Sequence, residues 1–316
     1  MAADSSFHCP ADRKDIYKFP ERVVLWDEDE AEDKQIKQVG ASACGATAAL
    51  NLLKLLGKTA EVDAAIKAVS TKLRDLDAPL PQYLLSRSVA GTTHTDLIKG
   101  LDKLSQGNVI GRFFHMFPAR DFDLSIWLKY WLSNGGIPLA TLNCQKVCLS
   151  DGTIPDAWHH QVICGVSENG VHLINPNEVI PFGVVSEQLC SDSVLLIRRN
   201  DVLQRWNNTL DYLCWNSEGD RWKELNVQEQ IDLMVKEETL LLLHGNEIKY
   251  KELLMTHITI PAVYKSGITI FVLRDSKAHE LLKNADELPL LETACNDVLD
   301  SEKQTMCNEG TLSVNV

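Results

Sequence analysis

Hydrophobic and polar positions alternate along this chain with a period that shifts from helical to extended. Between Lys37 and Gly57 the stretch KQVGASACGATAALNLLKLLG sets Ala48, Leu52, Leu55 and Leu56 at helical spacing behind a turn of small residues, so a largely buried helix is expected to open at or beside Cys44. Thr59 to Leu76 repeats the pattern with Val62, Ala65, Ile66 and Val69, and Pro79 and Pro81 are expected to stop it. A third helix is predicted within 91–106, capped by Thr93 or Thr95, and a fourth from Asp123 to Asn134, ending at Gly135-Gly136. Extended segments are predicted at Arg22–Trp26, Val109–Phe117, Ile137–Asn143, Gln161–Val166, Val171–Ile174 and Ser193–Arg198. The turn Glu168-Asn169-Gly170 joins two of them as a hairpin.

Helices followed by a mainly antiparallel sheet make an α+β pattern over the first two thirds of the chain. Beyond it, Asn200–Leu213 and Val227–His244 read as helices, and Ile258–Val263 with Ile268–Leu273 as a second hairpin turning at Lys265-Ser266-Gly267. The expected organisation is therefore an arm over 1–20, a first domain over 21–205, and a C-terminal helical and hairpin extension over 206–316 whose hairpin could instead extend the first sheet.

Composition narrows the function classes. A formal net charge of -13 and a pI near 5.1 oppose non-specific binding to nucleic acid or to anionic membranes. The acidic run Asp27–Asp33 reads as a solvated face. Nine cysteines, an odd number without regular spacing, suit a reducing compartment with free thiols better than a disulfide scaffold. The opening residues hold no apolar run of signal type, and no segment has the length of a bilayer span, so a cytoplasmic protein is expected.

Chemistry concentrates around Cys44. A helix N-terminus presents unpaired amides and the positive end of the helix dipole, a setting that favours thiolate over thiol. A cysteine between alanines is also an ordinary small core residue, so partners decide the matter. A nucleophile needs a base, a group that orients the base, and donors for an oxyanion. His160 directly precedes the apolar run Gln161-Val162-Ile163-Cys164, and the hairpin returns to Asn175-Pro176, so the carboxamide of Asn175 can orient the imidazole of His160. Gln38 can offer its amide beside the Cys44 N–H as the oxyanion hole. His159 competes for the base role, and strand alternation should send the two histidines in opposite directions. Cys144, Cys148, His159 and His160 form a poor zinc set, because the cysteines are spaced more widely than in a knuckle. Cys164 reads as core, and Trp158 as a cleft wall or packing.

In this order, Gln38-Val39-Gly40-Ala41-Ser42-Ala43-Cys44-Gly45 resembles the glutamine and cysteine segment of papain-like cysteine peptidases. His160-Gln161-Val162-Ile163-Cys164-Gly165, then Gly170 and Asn175-Pro176, is closest in pattern to the C39-like peptidase branch, which usually carries aspartate where this chain has Asn175. The resemblance spans roughly residues 35–200. It implies a papain-like fold, in which a Cys-bearing central helix packs on an antiparallel sheet, and a peptidase or amidase acting through a Cys44 thioester. His160 would be the base, Asn175 its orienter and Gln38 the oxyanion donor, with a peptide or protein as substrate and neither metal nor cofactor. A transpeptidase would use the same residues, and an inactive interaction module would keep only the fold.

Overall fold

The structure is a computed structural model that describes residues 19–146, 154–155, 157–212, 214–215, 219–244 and 254–291. A short strand, β1 (Val23–Val24), leads into the acidic run, which is helical: α1 (Glu28–Lys34) starts at a capping box in which Asp27 and Glu30 satisfy each other's amides. Next come α2 (Cys44–Leu55), α3 (Val62–Ala68), α4 (Leu80–Val89) and α5 (His94–Leu104), the last capped by Thr93. The helix expected over 59–76 is cut short because Ser70 turns to positive φ, and the apolar residues that would have prolonged it, Leu73 and Leu76, are exposed. Pro79 and Pro81 do not act only as terminators. They sit at the start of α4, an element the periodicity did not reveal, where a missing N–H removes no helical hydrogen bond.

The remaining elements are β2 (Val109–His115), α6 (Leu124–Ser133), β3 (Ile137–Asn143), β4 (Trp158–Ser167), β5 (Gly170–Ile174), β6 (Glu178–Ile180) and α7 (Phe182–Leu189). After them follow β7 (Val194–Arg198), α8 (Arg199–Leu203), α9 (Arg221–Glu224), α10 (Val227–His244), β8 (His257–Pro261), β9 (Gly267–Leu273) and α11 (Lys277–Lys283). Seven strands form one antiparallel sheet in the order β2-β9-β3-β4-β5-β6, with β1 added to β4. Both faces of this sheet are covered. Leu139, Val162 and Phe271 pack on the alanine- and leucine-rich side of α2 with α3 and α5, while their neighbours Ala140, Ile163 and Ile270 join Trp127 and Trp131 of α6, with α7 and α11, on the other side. The alternation of a half-buried strand thus becomes a continuous apolar run.

The second hairpin does not exist. β8 pairs with β7 in a separate two-stranded sheet, whereas β9 lies between β2 and β3. The sequence of β9, GITIFVL, is buried along all but its last position, which suits a central strand and not the edge of an appended hairpin. Its expected turn is pinned between the sheets instead: the Ser266 hydroxyl donates to the Ser191 carbonyl at 2.5 Å, and Met116 N–H donates to the Ser266 carbonyl at 3.2 Å. Both sheets therefore use strands from either side of residue 205, and the boundary expected there does not divide the fold. A further core gathers Tyr83 and Leu84 of α4, Ile231 and Met234 of α10, and the indoles of Trp215 and Trp222 around β7 and β8. Among the described residues no helix is long and apolar enough to cross a membrane.

Candidate active site

Cys44 is the first residue of α2. The turn before it is held by buried polar side chains that hydrophobic spacing passes over. Thr47 donates its hydroxyl to the Ala43 carbonyl and accepts from Val39 N–H, and Asn51 both accepts from Ile36 N–H at 2.7 Å and donates to the Ile36 carbonyl at 2.8 Å. Residues 36–43 are thereby strapped along the helix that carries the thiol. The N-cap, Ala43, supplies no side-chain acceptor, and the helical ladder begins at Thr47 N–H to Ala43 O, so the Cys44 amide lies ahead of it. Gly45 is required by a close neighbour, since a Cβ there would stand 2.7 Å from the Thr92 Cβ.

The two histidines go separate ways, and not in the expected sense. His160 is 1% exposed and sits opposite Thr141 in the β3–β4 register. Its Nε2 lies 2.6 Å from the Thr92 carbonyl, an obligate acceptor, so Nε2 carries the proton and Nδ1 accepts from the Thr141 hydroxyl at 3.1 Å. Burial drives its pKa down to about 4, which leaves it neutral. The placement expected for His160 against Cys44 is therefore corrected: both its nitrogens are committed elsewhere. Its neighbour His159 donates Nε2–H to the Asn175 carbonyl at 2.9 Å and lines the same cavity as Cys44. Burial lowers the His159 pKa, but the hydrogen bond and charge of Cys44, the Asn175 carbonyl and the field of Glu178 together outweigh it and raise the value above the ordinary 6.5.

Asn175 meets the imidazole through its backbone, not its carboxamide. Its Nδ2 donates to Gln38 Oε1 at 3.0 Å, and its N–H donates to Gln35 Oε1 at 3.1 Å. It sits at φ +64, a left-handed conformation that asparagine tolerates better than most residues. Gln38 lines the cavity with Cys44, and its own Nε2 donates to the Gly40 carbonyl at 2.9 Å. Of the four residues singled out from the sequence, Cys44, Gln38 and Asn175 come together and His160 braces the wall behind them.

The cavity beside Cys44 has a volume of about 280 Å³. Trp158 is a wall of it, stacked on Tyr264 with centroids 5.7 Å apart and its Nε1–H on the Val194 carbonyl. Tyr264 comes from the crossing between β8 and β9, and its hydroxyl donates to the Ala90 carbonyl. A Cβ on Gly91 would strike that phenol oxygen, and Gly91 adopts φ +95, so only glycine fits. The Gly91 turn is tied in both directions to Lys72, which draws the irregular segment after α3 to the rim, and the guanidiniums of Arg74 and Arg87 line the cavity. These residues had no local signal, because three separate stretches of chain meet only in the folded molecule. Cys164 is core, as expected, with its thiol pushed up to about 12 by burial. Cys148 lies outside the described residues, and no group of three possible metal ligands occurs among the described ones.

No family model matches the sequence, and no curated protein matches it. Among solved structures the chain is similar to that of a Bacillus anthracis protein provisionally described as a C39-like peptidase, at 16% identity and a TM-score of 0.36, over 54% of this chain and 92% of the other. The likeness is distant.

Proposed function

We propose that the chain is a cysteine hydrolase of papain-like, C39-like type that cleaves a peptide, isopeptide or amide bond, with Cys44 as nucleophile and His159 as its acid and base. One observation carries this reading: the thiol at the first residue of a buried helix faces an imidazole whose other nitrogen is fixed by the Asn175 carbonyl. That is the nucleophile, base and orienter arrangement by which a thiol attacks a carbonyl. The raised pKa of His159 favours its protonated form beside Cys44.

In the first step the Cys44 sulfur forms a bond to the carbonyl carbon. The oxyanion is met by the Cys44 N–H and the Gln38 amide. As the C–N bond breaks, the His159 proton passes to the departing amine. Water, deprotonated by His159, then releases the acid and regenerates the thiol. Asn175 acts twice in this scheme, holding the imidazole with its carbonyl and Gln38 with its carboxamide. His160 positions: it ties Thr92, against which Gly45 packs, to β3.

The test is site-resolved alkylation of the full chain by iodoacetamide. Cys44 is expected to react well ahead of the chain's other thiols, and His159→Ala is expected to remove that lead. A Cys44 that reacts at the rate of the ordinary exposed thiols would sink the proposal.

A further inference from the structure

A second cavity, of about 540 Å³, lies on the face of the large sheet opposite α2. That volume falls within the roughly 300–1,000 Å³ of small-molecule sites. Met116, Phe122, Leu124, Phe182 and Leu189, from the segment after β2 and from α6 and α7, give it apolar walls. Two charged residues line it, Arg120 and Asp123. The architecture uses only part of each. Arg120 donates Nη1–H to the Leu288 carbonyl at 3.0 Å, and Asp123 caps α6 by accepting the Ile126 N–H on Oδ1 at 3.0 Å.

The remaining polar capacity has no use within the fold. The Arg120 Nε is buried with no acceptor, and the guanidinium forms no ion pair with any described carboxylate. Asp123 Oδ2 accepts from no described donor. The two charges stand three residues apart in the chain without pairing with each other, and apolar walls strengthen the field of both. A planar guanidinium fork matches a carboxylate, and a carboxylate accepts from an ammonium. A bare carboxylate would meet Asp123, and a bare amine would meet Arg120, so a ligand with both groups close together suits the lining better than either alone. We propose that this cavity binds a zwitterionic α-amino acid with a large apolar side chain, its carboxylate on the Arg120 guanidinium, its ammonium on the Asp123 carboxylate and its side chain against the phenylalanines. The inference is independent of the reading of Cys44.

The cavity carries its own reporter, because the free thiol Cys190 lines it. L-Phenylalanine, titrated into the full chain, is expected to slow N-ethylmaleimide labelling of Cys190 about tenfold at ten times its dissociation constant, read by peptide mapping. Labelling of Cys44, in the other cavity, should keep its rate. Arg120→Gln and Asp123→Asn should each weaken the protection about tenfold. Asparagine caps a helix as well as aspartate does, so Asp123→Asn keeps α6 intact and gives the reading should Arg120→Gln fail to fold.

Three analogues separate the parts of the ligand. 3-Phenylpropionate lacks the ammonium, phenethylamine lacks the carboxylate and L-alanine lacks the large side chain, and each is expected to protect Cys190 at least about tenfold more weakly than L-phenylalanine. No protection by L-phenylalanine or L-leucine at millimolar concentration overturns the site. Protection that is equal in the parent and in Asp123→Asn, or equal with 3-phenylpropionate, overturns the zwitterion assignment.

Discussion

Two imidazoles one residue apart show how far the sides of a single strand can diverge. At the start of β4, the inner side encloses His160 between a carbonyl and a hydroxyl, where burial strips it of any charge near neutrality. The cavity side gives His159 a thiol, a carbonyl and the field of a carboxylate, and there the charged form is favoured despite burial. Burial opposes charge at both positions. The partners decide the sign, so the same residue type serves as a brace on one side and as a proposed acid and base on the other.

The largest effect should come from removing the cavity-side imidazole. His159→Ala is expected to slow turnover of a cleaved peptide amide by about 100- to 10,000-fold while the urea midpoint barely moves. His160→Gln should do the reverse, lowering stability more than its effect on chemistry. Equal losses of activity in the two variants, at equal stability, would erase the contrast.

Acid sharpens it next. A histidine whose folded pKa is depressed from 6.5 to about 4 is neutral in both states at high pH, and as pH falls between those values the unfolded chain takes up the proton first. His160 should therefore withdraw about 3 kcal/mol of stability on going from pH 7 to below 4. His159 has the opposite sign: its raised pKa contributes stability below 6.5 that is lost as pH rises through the folded value. Urea titrations of the parent and of His160→Gln across this range isolate the first term, and equal slopes in the two would show that the imidazole is not buried neutral.

Crowding the brace gives a smaller effect. Gly45→Ala puts a methyl 2.7 Å from the Thr92 Cβ and is expected to cost about 1–3 kcal/mol in thermal or urea unfolding, with slower Cys44 alkylation as the helix start shifts. The smallest change is expected at Asn175. Asn175→Gly keeps the carbonyl that holds His159 and suits the positive φ, losing only the link to Gln38, so alkylation should fall less than about tenfold and peptide cleavage somewhat more. A loss as large as that of His159→Ala would mean that the carboxamide, not the carbonyl, positions the base.

Much of the fold was legible wherever the apolar pattern was unbroken. Ile137–Asn143 and Val227–His244 match their expected bounds, because an unbroken apolar run and a long helical period leave few readings open. The partner of a strand is a different matter. Alternation in 258–263 and 268–273 named two strands and a plausible turn but carried nothing about β2, β3 or β7, which claim them. The histidines failed for a related reason. A motif register and strand alternation show that His159 and His160 face apart, yet which one meets Cys44 depends on how β4 lies against α2, and that is set by packing far from either residue. Arg74, Arg87 and Tyr264 had no local pattern at all.

The position of β9 carries a consequence for the life of the chain before it is finished. β3, the direct support of the strand bearing both histidines, keeps one edge open until residues 267–273 have left the ribosome and inserted beside it. Tyr264, a wall of the cavity, arrives in the same stretch. A nascent chain that already displays Cys44 and His159 thus lacks the strand that closes its sheet, and pairings this distant in sequence form late. The last sheet partner of β3 is therefore encoded some 230 residues after the cysteine.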